Sequence, residues 1–394
     1  MGLFEKCSEF SRWIDSLRES GQFFYLREFD PPASPVVHSG GRPMIMLGSN
    51  NYLGLATHPR VIEAASRALA EFGTGACSSR VLTGTTSLHN RLERRLAEFK
   101  GTEDAVVFST GFLTMMGAVS ALTKKGDIVL SDELNHASII EGCRLTGAEV
   151  IVYGHRDMDD LERKLKDVPG GTDVLIVTDG VFSMKGTLAP LPRLVELAER
   201  YGAATMVDDA HATGAIGRTG RGTLEHFGLE GRVDLVCGTF SKSLGTIGGF
   251  VGCPRDVATY LRLKARAFIF TASPPPSSMA TVLACLDVIE DDPELLERLR
   301  ANTGFLKSGL ADAGFRLEDT ETPIIPVLIG DDETVFRMAG ALEEEGIVVN
   351  PVVPPAVPPE GSLIRLSVMA SLGDEELSTA LEKLTGVGRR LGVI

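Results

Sequence analysis

The feature that most restricts the fold is an alternation of short apolar runs with helix-length amphipathic segments through the middle of the chain. Runs at 105–108, 127–130, 149–153, 174–178 and 203–207 are apolar at nearly every position, without the every-other-residue polarity of a half-exposed strand. Between them, 112–122, 137–146, 158–167 and 191–201 repeat apolar residues at three- and four-residue steps. Strands apolar on both faces must be covered on both faces, and the intervening helices supply the cover. The expected fold class is α/β, a mostly parallel sheet with helices on both sides. Such a sheet takes its ligands beyond the carboxyl ends of its strands.

The flanks read differently. Leu3, Phe4, Cys7, Phe10, Ile14 and Leu17 form one helical face over 3–20. The opposite face is mixed-charge rather than basic, so packing on the body or a second subunit is expected over lying on a membrane. Pro31, Pro32, Pro35, Gly40 and Gly41 mark a loop before a short strand at 44–47, and helices are expected at 61–72 and 87–99. After Cys253, helices at 255–268, 277–289, 293–313 and 335–345 outnumber strands at 324–329 and 363–368. That composition suits a smaller α+β domain. The expected division is an N-terminal helix and arm (1–55), a large domain (56–284) and a small C-terminal domain (285–394). The segment 351–359 holds five prolines and must be a stiff loop.

A net charge of −14 and a pI near 5.1 argue against a nucleic-acid surface, which needs a basic field to displace counterions. Anionic substrates must then be met locally. The six cysteines include no C-x-x-C pair, so neither a metal site nor a disulfide framework is indicated, and a reducing cytoplasm is the expected location. No apolar run approaches the ~20 residues of a membrane span.

One lysine stands apart. Lys242 lies between Ser241 and Ser243, after the apolar run 235–237 and before a glycine-rich stretch, with no carboxylate between Asp234 and Asp256. Desolvation disfavours the ammonium form, lowers the pKa and frees the amine as a nucleophile or Schiff-base partner. The plain alternative is a strand-end lysine whose stem is covered while its head reaches water.

Other polar residues also gather after strands: Ser109-Thr110-Gly111, Ser131-Asp132 with His136, Asp179 with Ser183, and Asp208-Asp209 with His211. A phosphate-bearing pyridine aldehyde needs an imine-forming lysine, an acid for the ring nitrogen, donors for the phosphate and something flat for the ring. Asp208 suits the ring nitrogen, His211 the ring hydroxyl, His136 the ring face, and the turn 109–112 the phosphate, through free N–H groups at a helix start. Alone, each has an ordinary reading: Asp208 as a helix cap, His211 as a hydrogen-bonded structural histidine, His136 as a helix-start residue.

These residues also carry a family resemblance. Thr239-Phe-Ser-Lys242-Ser-Leu-Gly, Val207-Asp-Asp-Ala-His211, Val181-Phe-Ser-Met184, Asn135-His136-Ala-Ser and Ser49-Asn-Asn-Tyr-Leu-Gly-Leu55 closely resemble, in order and spacing, the α-oxoamine synthases of fold-type I pyridoxal 5'-phosphate (PLP) enzymes. The likeness runs from about residue 45 to the end. It implies a large PLP-binding domain, with Lys242 as the Schiff-base lysine, Asp208 on the ring nitrogen, His211 on the ring oxygen, His136 stacked on the ring and Ser183 beside it. It places Gly111, Phe112, Thr239 and Ser241 at the phosphate, and Asn50 and Arg365 at the amino-acid substrate, where a bidentate arginine suits a carboxylate.

Three positions depart from the family pattern. Lys185 stands where many members have Asp, Ala272 where a threonine often reaches the neighbouring subunit's phosphate, and Leu372 where a histidine is frequent. Thr271 or Ser273 is then the candidate replacement for the missing threonine. These bear on substrate rather than on Lys242, Asp208 or His211.

The implied activity is condensation of an amino acid with an acyl thioester, on CoA or a carrier, releasing the thiol and usually carbon dioxide to leave an α-amino ketone. Lys242 would first hold the cofactor and then shuttle the Cα proton. Transamination or aldol-type cleavage with the same cofactor residues is the first alternative, and a non-catalytic partner subunit the second. The resemblance also implies a homodimer with shared sites.

Overall fold

The computed structural model describes residues 2–394. Helix α1 (Glu5–Glu19) has none of its residues buried. Strands β1 (Val36–Ser39) and β2 (Arg42–Met46) form a hairpin whose two linking residues, Gly40 and Gly41, both have positive φ, as a tight hairpin turn requires. Helices α2 (Pro59–Phe72) and α3 (Ser87–Lys100) follow.

The alternating core is then laid down as β3 (Asp104–Phe108), α4 (Gly111–Leu122), β4 (Ile128–Asp132), α5 (Ala137–Leu145), β5 (Glu149–Tyr153), α6 (Met158–Lys166), β6 (Val174–Asp179), α7 (Leu191–Tyr201), β7 (Ala204–Asp208), a short α8 (Thr223–Phe227) and β8 (Leu235–Thr239). Strand β9 (Gly249–Cys253) closes it. The sheet order is β3-β9-β8-β7-β6-β4-β5, with β9 antiparallel to both its neighbours and the other six strands mutually parallel. The expected mostly parallel, doubly covered sheet is therefore present. Alternate residues of one strand feed different cores: Ala105 and Val107 pack with Leu92, Leu96 and Phe250, whereas Val106 and Phe108 pack with Met115, Val119 and Phe268.

Beyond β9 come α9 (Arg255–Lys264), α10 (Arg266–Ile269), α11 (Pro276–Asp291), α12 (Glu294–Ala313), β10 (Ile324–Gly330), α13 (Asp332–Glu344), β11 (Ile347–Val348), β12 (Asn350–Val352), β13 (Ser362–Ser367) and α14 (Asp374–Arg390). The single helix expected over 255–268 is broken because Ala265 leaves helical geometry, at ψ 110. The strands form two small sheets, β10-β13-β12 and β1-β2-β11, the second joining an N-terminal hairpin to a C-terminal strand.

Packing departs from the division read from sequence. Cys285, Leu286, Val288, Ile289, Leu295, Leu296 and Leu299 lie in the core shared with α3 and β3, while Leu306 and Leu310 join a second core with Met44, Met46, Val335, Ile364 and Leu384. Helix α12 is thus shared, and we propose a boundary within it, with residues 36–47 grouped with the C-terminal domain.

Candidate active site

Five parallel strands end beside one cavity of about 350 Å³. Gly111 and Phe112 line it after β3, His136 after β4, Asp179 and Ser183 at and after β6, Asp208 and His211 at and after β7, and Thr239, Ser241 and Lys242 at and after β8. Ten residues singled out in the sequence are brought together here. Met115, Val181 and Ile247 add apolar wall.

The first wall is a strand-to-helix turn. Thr110 caps α4, its hydroxyl accepting the Leu113 N–H at 3.1 Å. The remaining N–H groups of the first turn have no partner within the helix, which makes this end a ready anion site. Only glycine fits at 111, since a Cβ there would lie 2.6 Å from Thr239 Oγ1. Thr239 Oγ1 meets Ser241 Oγ at 2.8 Å and donates to the Gly248 carbonyl at 3.1 Å, so both hydroxyls are anchored beside the turn. Ser109 points elsewhere, donating to the Ala272 carbonyl at 2.6 Å.

The floor is ionisable. Asp208 is buried and Oδ1 accepts the Ala210 N–H at 2.9 Å. Burial raises its pKa, against the opposing pull of Lys242. Burial likewise lowers the pKa of Lys242, while the charges of Asp208 and Asp179 pull it back up. The amine is thus desolvated yet within the field of two carboxylates. His136 caps α5, Nδ1 accepting the Ser138 N–H at 3.2 Å, and burial lowers its pKa.

Asn50 and Arg365 are held next to this floor. Arg365 lies on β13, buried, and donates from Nε to the Ser183 carbonyl at 2.6 Å, from Nη1 to Ser367 Oγ at 2.7 Å and from Nη2 to Asn50 Oδ1 at 3.1 Å. A residue not singled out from sequence, Tyr52, completes the link. Its hydroxyl is 2.7 Å from His211 Nδ1, 3.2 Å from Asn50 Oδ1 and 3.4 Å from Arg365 Nη2. Burial keeps the Tyr52 hydroxyl protonated and drives the His211 pKa well below its ordinary value. A protonated phenol donating to a neutral imidazole Nδ1 leaves the imidazole hydrogen on Nε2.

The departures from the family pattern also find their places. Lys185 faces Glu318 Oε1 at 3.5 Å, so its charge is locally answered. Ser273 is committed to the Gly84 carbonyl at 2.7 Å and to His89 Nε2 at 3.0 Å, which leaves Thr271 as the free hydroxyl of that pair. Leu372 is buried in the second core.

The residues fit PLP on their own evidence. A glycine whose Cβ would collide, a helix start, two anchored hydroxyls, a carboxylate facing a desolvated lysine and an unpartnered buried Asp179 Oδ1 form a cradle for a phosphorylated, nitrogen-bearing ring. The fold and site define a fold-type I PLP-dependent transferase. Residues 42–384 match the family model for aminotransferase class I and II. Serine palmitoyltransferase of Sphingobacterium spiritivorum is 46% identical over 98% of this chain and 96% of its own, and 8-amino-7-oxononanoate synthase 1 of Bacillus velezensis is 46% identical over 97% of each. The solved serine palmitoyltransferases of S. paucimobilis, with a bound PLP–myriocin adduct, and of Sphingomonas wittichii superpose with TM-scores of 0.96 and 0.97, each at 38% identity and covering all of both chains. The chain belongs to the aminotransferase class I and II family, in its α-oxoamine synthase branch. No described helix is long and apolar enough to cross a membrane.

Proposed function

We propose that this chain condenses a small amino acid, serine in the first instance, with a long-chain acyl thioester, releasing the thiol and carbon dioxide and leaving an α-amino ketone. The observation that carries the reading is Lys242, a desolvated amine enclosed with Asp208 in a cavity whose glycine-and-hydroxyl wall suits a phosphate. When bound, PLP supplies an electron sink for the negative charge that develops at the substrate Cα.

The chain's own groups do the rest. Asp208 holds the proton on the ring nitrogen, and His211 donates from Nε2 to the ring oxygen. His136 covers the ring face, with Ser183 beside it. Gly111, Phe112, Thr239 and Ser241 hold the phosphate. Arg365 and Asn50 bind the substrate carboxylate, which orients the Cα–H bond. The Nζ of Lys242, its pKa lowered by burial, takes the Cα proton and later returns one.

A long apolar acyl group is favoured over the acid-ended chain that an oxononanoate product implies. Phe112, Met115, Val181 and Ile247 offer apolar wall, and among the described residues Lys242 is the one lysine or arginine of the cavity lining. A terminal carboxylate would want a second cation. We further propose a cytoplasmic homodimer. Phe112 and Ile247 are exposed at the cavity, as surface a second copy would cover, and the described cysteines are all free thiols.

The test is a spectral titration of the PLP-loaded protein with serine, alanine, glycine and threonine, followed by acyl-CoAs of graded length with free thiol measured. Serine should perturb the cofactor absorbance most, and thiol release should rise with chain length. Preference for alanine with an acid-ended acyl group overturns the substrate assignment. Amino-group transfer without thiol release overturns the reaction class. Light scattering tests the dimer.

A further inference from the structure

The cavity holds a second carboxyl that none of the assigned roles uses. Asp179 ends β6 and Asp208 ends β7, and the two are register partners on adjacent parallel strands, so their side chains share a face and both line the cavity. Both are buried. Two carboxylates this placed and this dry do not both ionise without strong repulsion.

Their partners are unequal. Asp208 Oδ1 accepts a backbone N–H from Ala210 at 2.9 Å, whereas Asp179 Oδ1 has no hydrogen-bond partner among the described residues. An ionised oxygen left bare in a buried site is far more expensive than a neutral carboxyl there. The backbone that carries Asp179 is held in place. Its own N–H is fixed by Asn135 Oδ1 at 2.8 Å, Asn135 is in turn held by Ser131 Oγ and the Val177 carbonyl, and a Cβ at Gly180 would lie 2.7 Å from Asp209 Oδ1.

We propose that Asp179 and Asp208 form a one-charge carboxyl pair in which Asp179 keeps the proton and Asp208 is the anion. Asp179 is thereby a positioning residue that acts through Asp208. By staying neutral it leaves a single carboxylate for Lys242 and, on the PLP reading, for the ring nitrogen. The charged and titratable groups facing Asp179 are Asp208 on β7, Lys242 after β8, Asp132 at the end of β4 and Tyr153 at the end of β5, with His136 at the start of α5 facing it through its backbone N–H. Burial is the largest effect and keeps the proton on, the two neighbouring carboxylates add to it, and the His136 backbone N–H and then Lys242 oppose it.

The test uses infrared spectroscopy on the full-length protein stripped of PLP. At neutral pH the wild type should show the C=O stretch of a protonated carboxylic acid, and Asp179→Asn should lack it while Asp208→Asn retains it. Absence of the band in wild type overturns the proposal without any variant. Loss of the band in Asp208→Asn but not in Asp179→Asn overturns it by reversing the assignment. PLP dissociation constants give the second readout. Asp208→Asn should weaken binding by about 100-fold, as for loss of a buried charge-assisted contact, and Asp179→Asn by less than about tenfold. Equal losses would mean two anions and overturn the proposal. An unchanged constant in Asp208→Asn would refute the ring-nitrogen role instead, leaving the infrared result to decide the pair.

Discussion

Asp208 and Asp209 are neighbours in sequence, and both are buried at the end of β7, yet they live in opposite electrostatic worlds. Asp209 meets Lys100 Nζ at 2.9 Å and the Thr223 N–H at 3.2 Å, and Lys100 donates also to the Arg221 carbonyl at 2.6 Å. Nearby, Glu93 is saturated by Arg80 at 3.0 Å, Arg262 at 3.2 Å and the Val107 N–H at 3.0 Å, and Arg262 binds Asp104 at 2.8 Å. On the cavity side, Asp179 Oδ1 is buried without a partner among the described residues, and Asp208 shares its environment with a lysine whose own pKa is depressed. Charges that have spent all their hydrogen-bonding capacity hold the scaffold. Those left incomplete are available to a ligand.

The largest expected effect separates the two regions by function. Lys242→Ala should lower turnover by about 10⁴-fold or more, the scale for removing a group central to covalent and proton-transfer chemistry. Its PLP-free melting temperature should not fall, because a desolvated ammonium is removed. A large drop in melting temperature would erase the contrast.

Next, Lys100→Met should cost about 3–5 kcal/mol in unfolding free energy by leaving Asp209 buried and unpaired. Chemical denaturation measures it, and the folded fraction should retain its amino-acid-induced spectral response. Little loss of stability would show that the saturated side is not structural.

A pH experiment sharpens the comparison. His89 is buried against the Pro274 carbonyl and Ser273, and burial, with the charge of Arg80 adding, lowers its pKa to about 4. A lowered imidazole pKa gives stability that is complete above pH 6.5 and is lost as pH falls through about 4. Between those limits the wild type should lose up to about 3 kcal/mol that His89→Gln does not lose. Parallel acid limbs in the two proteins would contradict this.

The smallest effect belongs to an ion pair that is in neither class. Lys185 and Glu318 sit 3.5 Å apart and partly exposed, so Lys185→Ala should change stability by less than about 1 kcal/mol and turnover by less than about twofold. A larger change in turnover would return Lys185 to the site.

How much of this was legible in sequence follows from which signals are local. The β3-to-β7 alternation was readable because strands covered on both faces need no polar residues, and Lys242 because it sits alone among small residues. Tyr52 was not, because its partner His211 lies 159 residues away and nothing in a turn announces such a meeting. Asp179 was visible only as a polar strand end, since its meaning depends on register with Asp208. The antiparallel sense of β9 leaves no mark in a five-residue apolar run. Helix α14 is faint in the sequence although Leu377, Ala380, Leu384 and Val387 keep helical spacing. Gly386 and Gly388 weaken its pattern, and Gly388 is there for packing, since a Cβ would lie 2.5 Å from Phe315. Likewise, the sheet uniting β2 with β11 spans nearly the whole chain and has no local signature.

The antiparallel strand has one more consequence. Because β9 runs against β8, the connection that carries Lys242 leaves the sheet at Thr239 and re-enters it directly opposite, at Gly249. That connection is also tied across itself, by Phe240 N–H to Gly248 at 2.9 Å, Thr246 N–H to Phe240 at 2.9 Å and Gly245 N–H to Lys242 at 3.0 Å. The backbone of Lys242 is thus a fixed pivot rather than the tip of a loose loop. When its amine is released, only the four-carbon arm swings, so every site it can serve lies on a short arc whose radius is the length of one side chain.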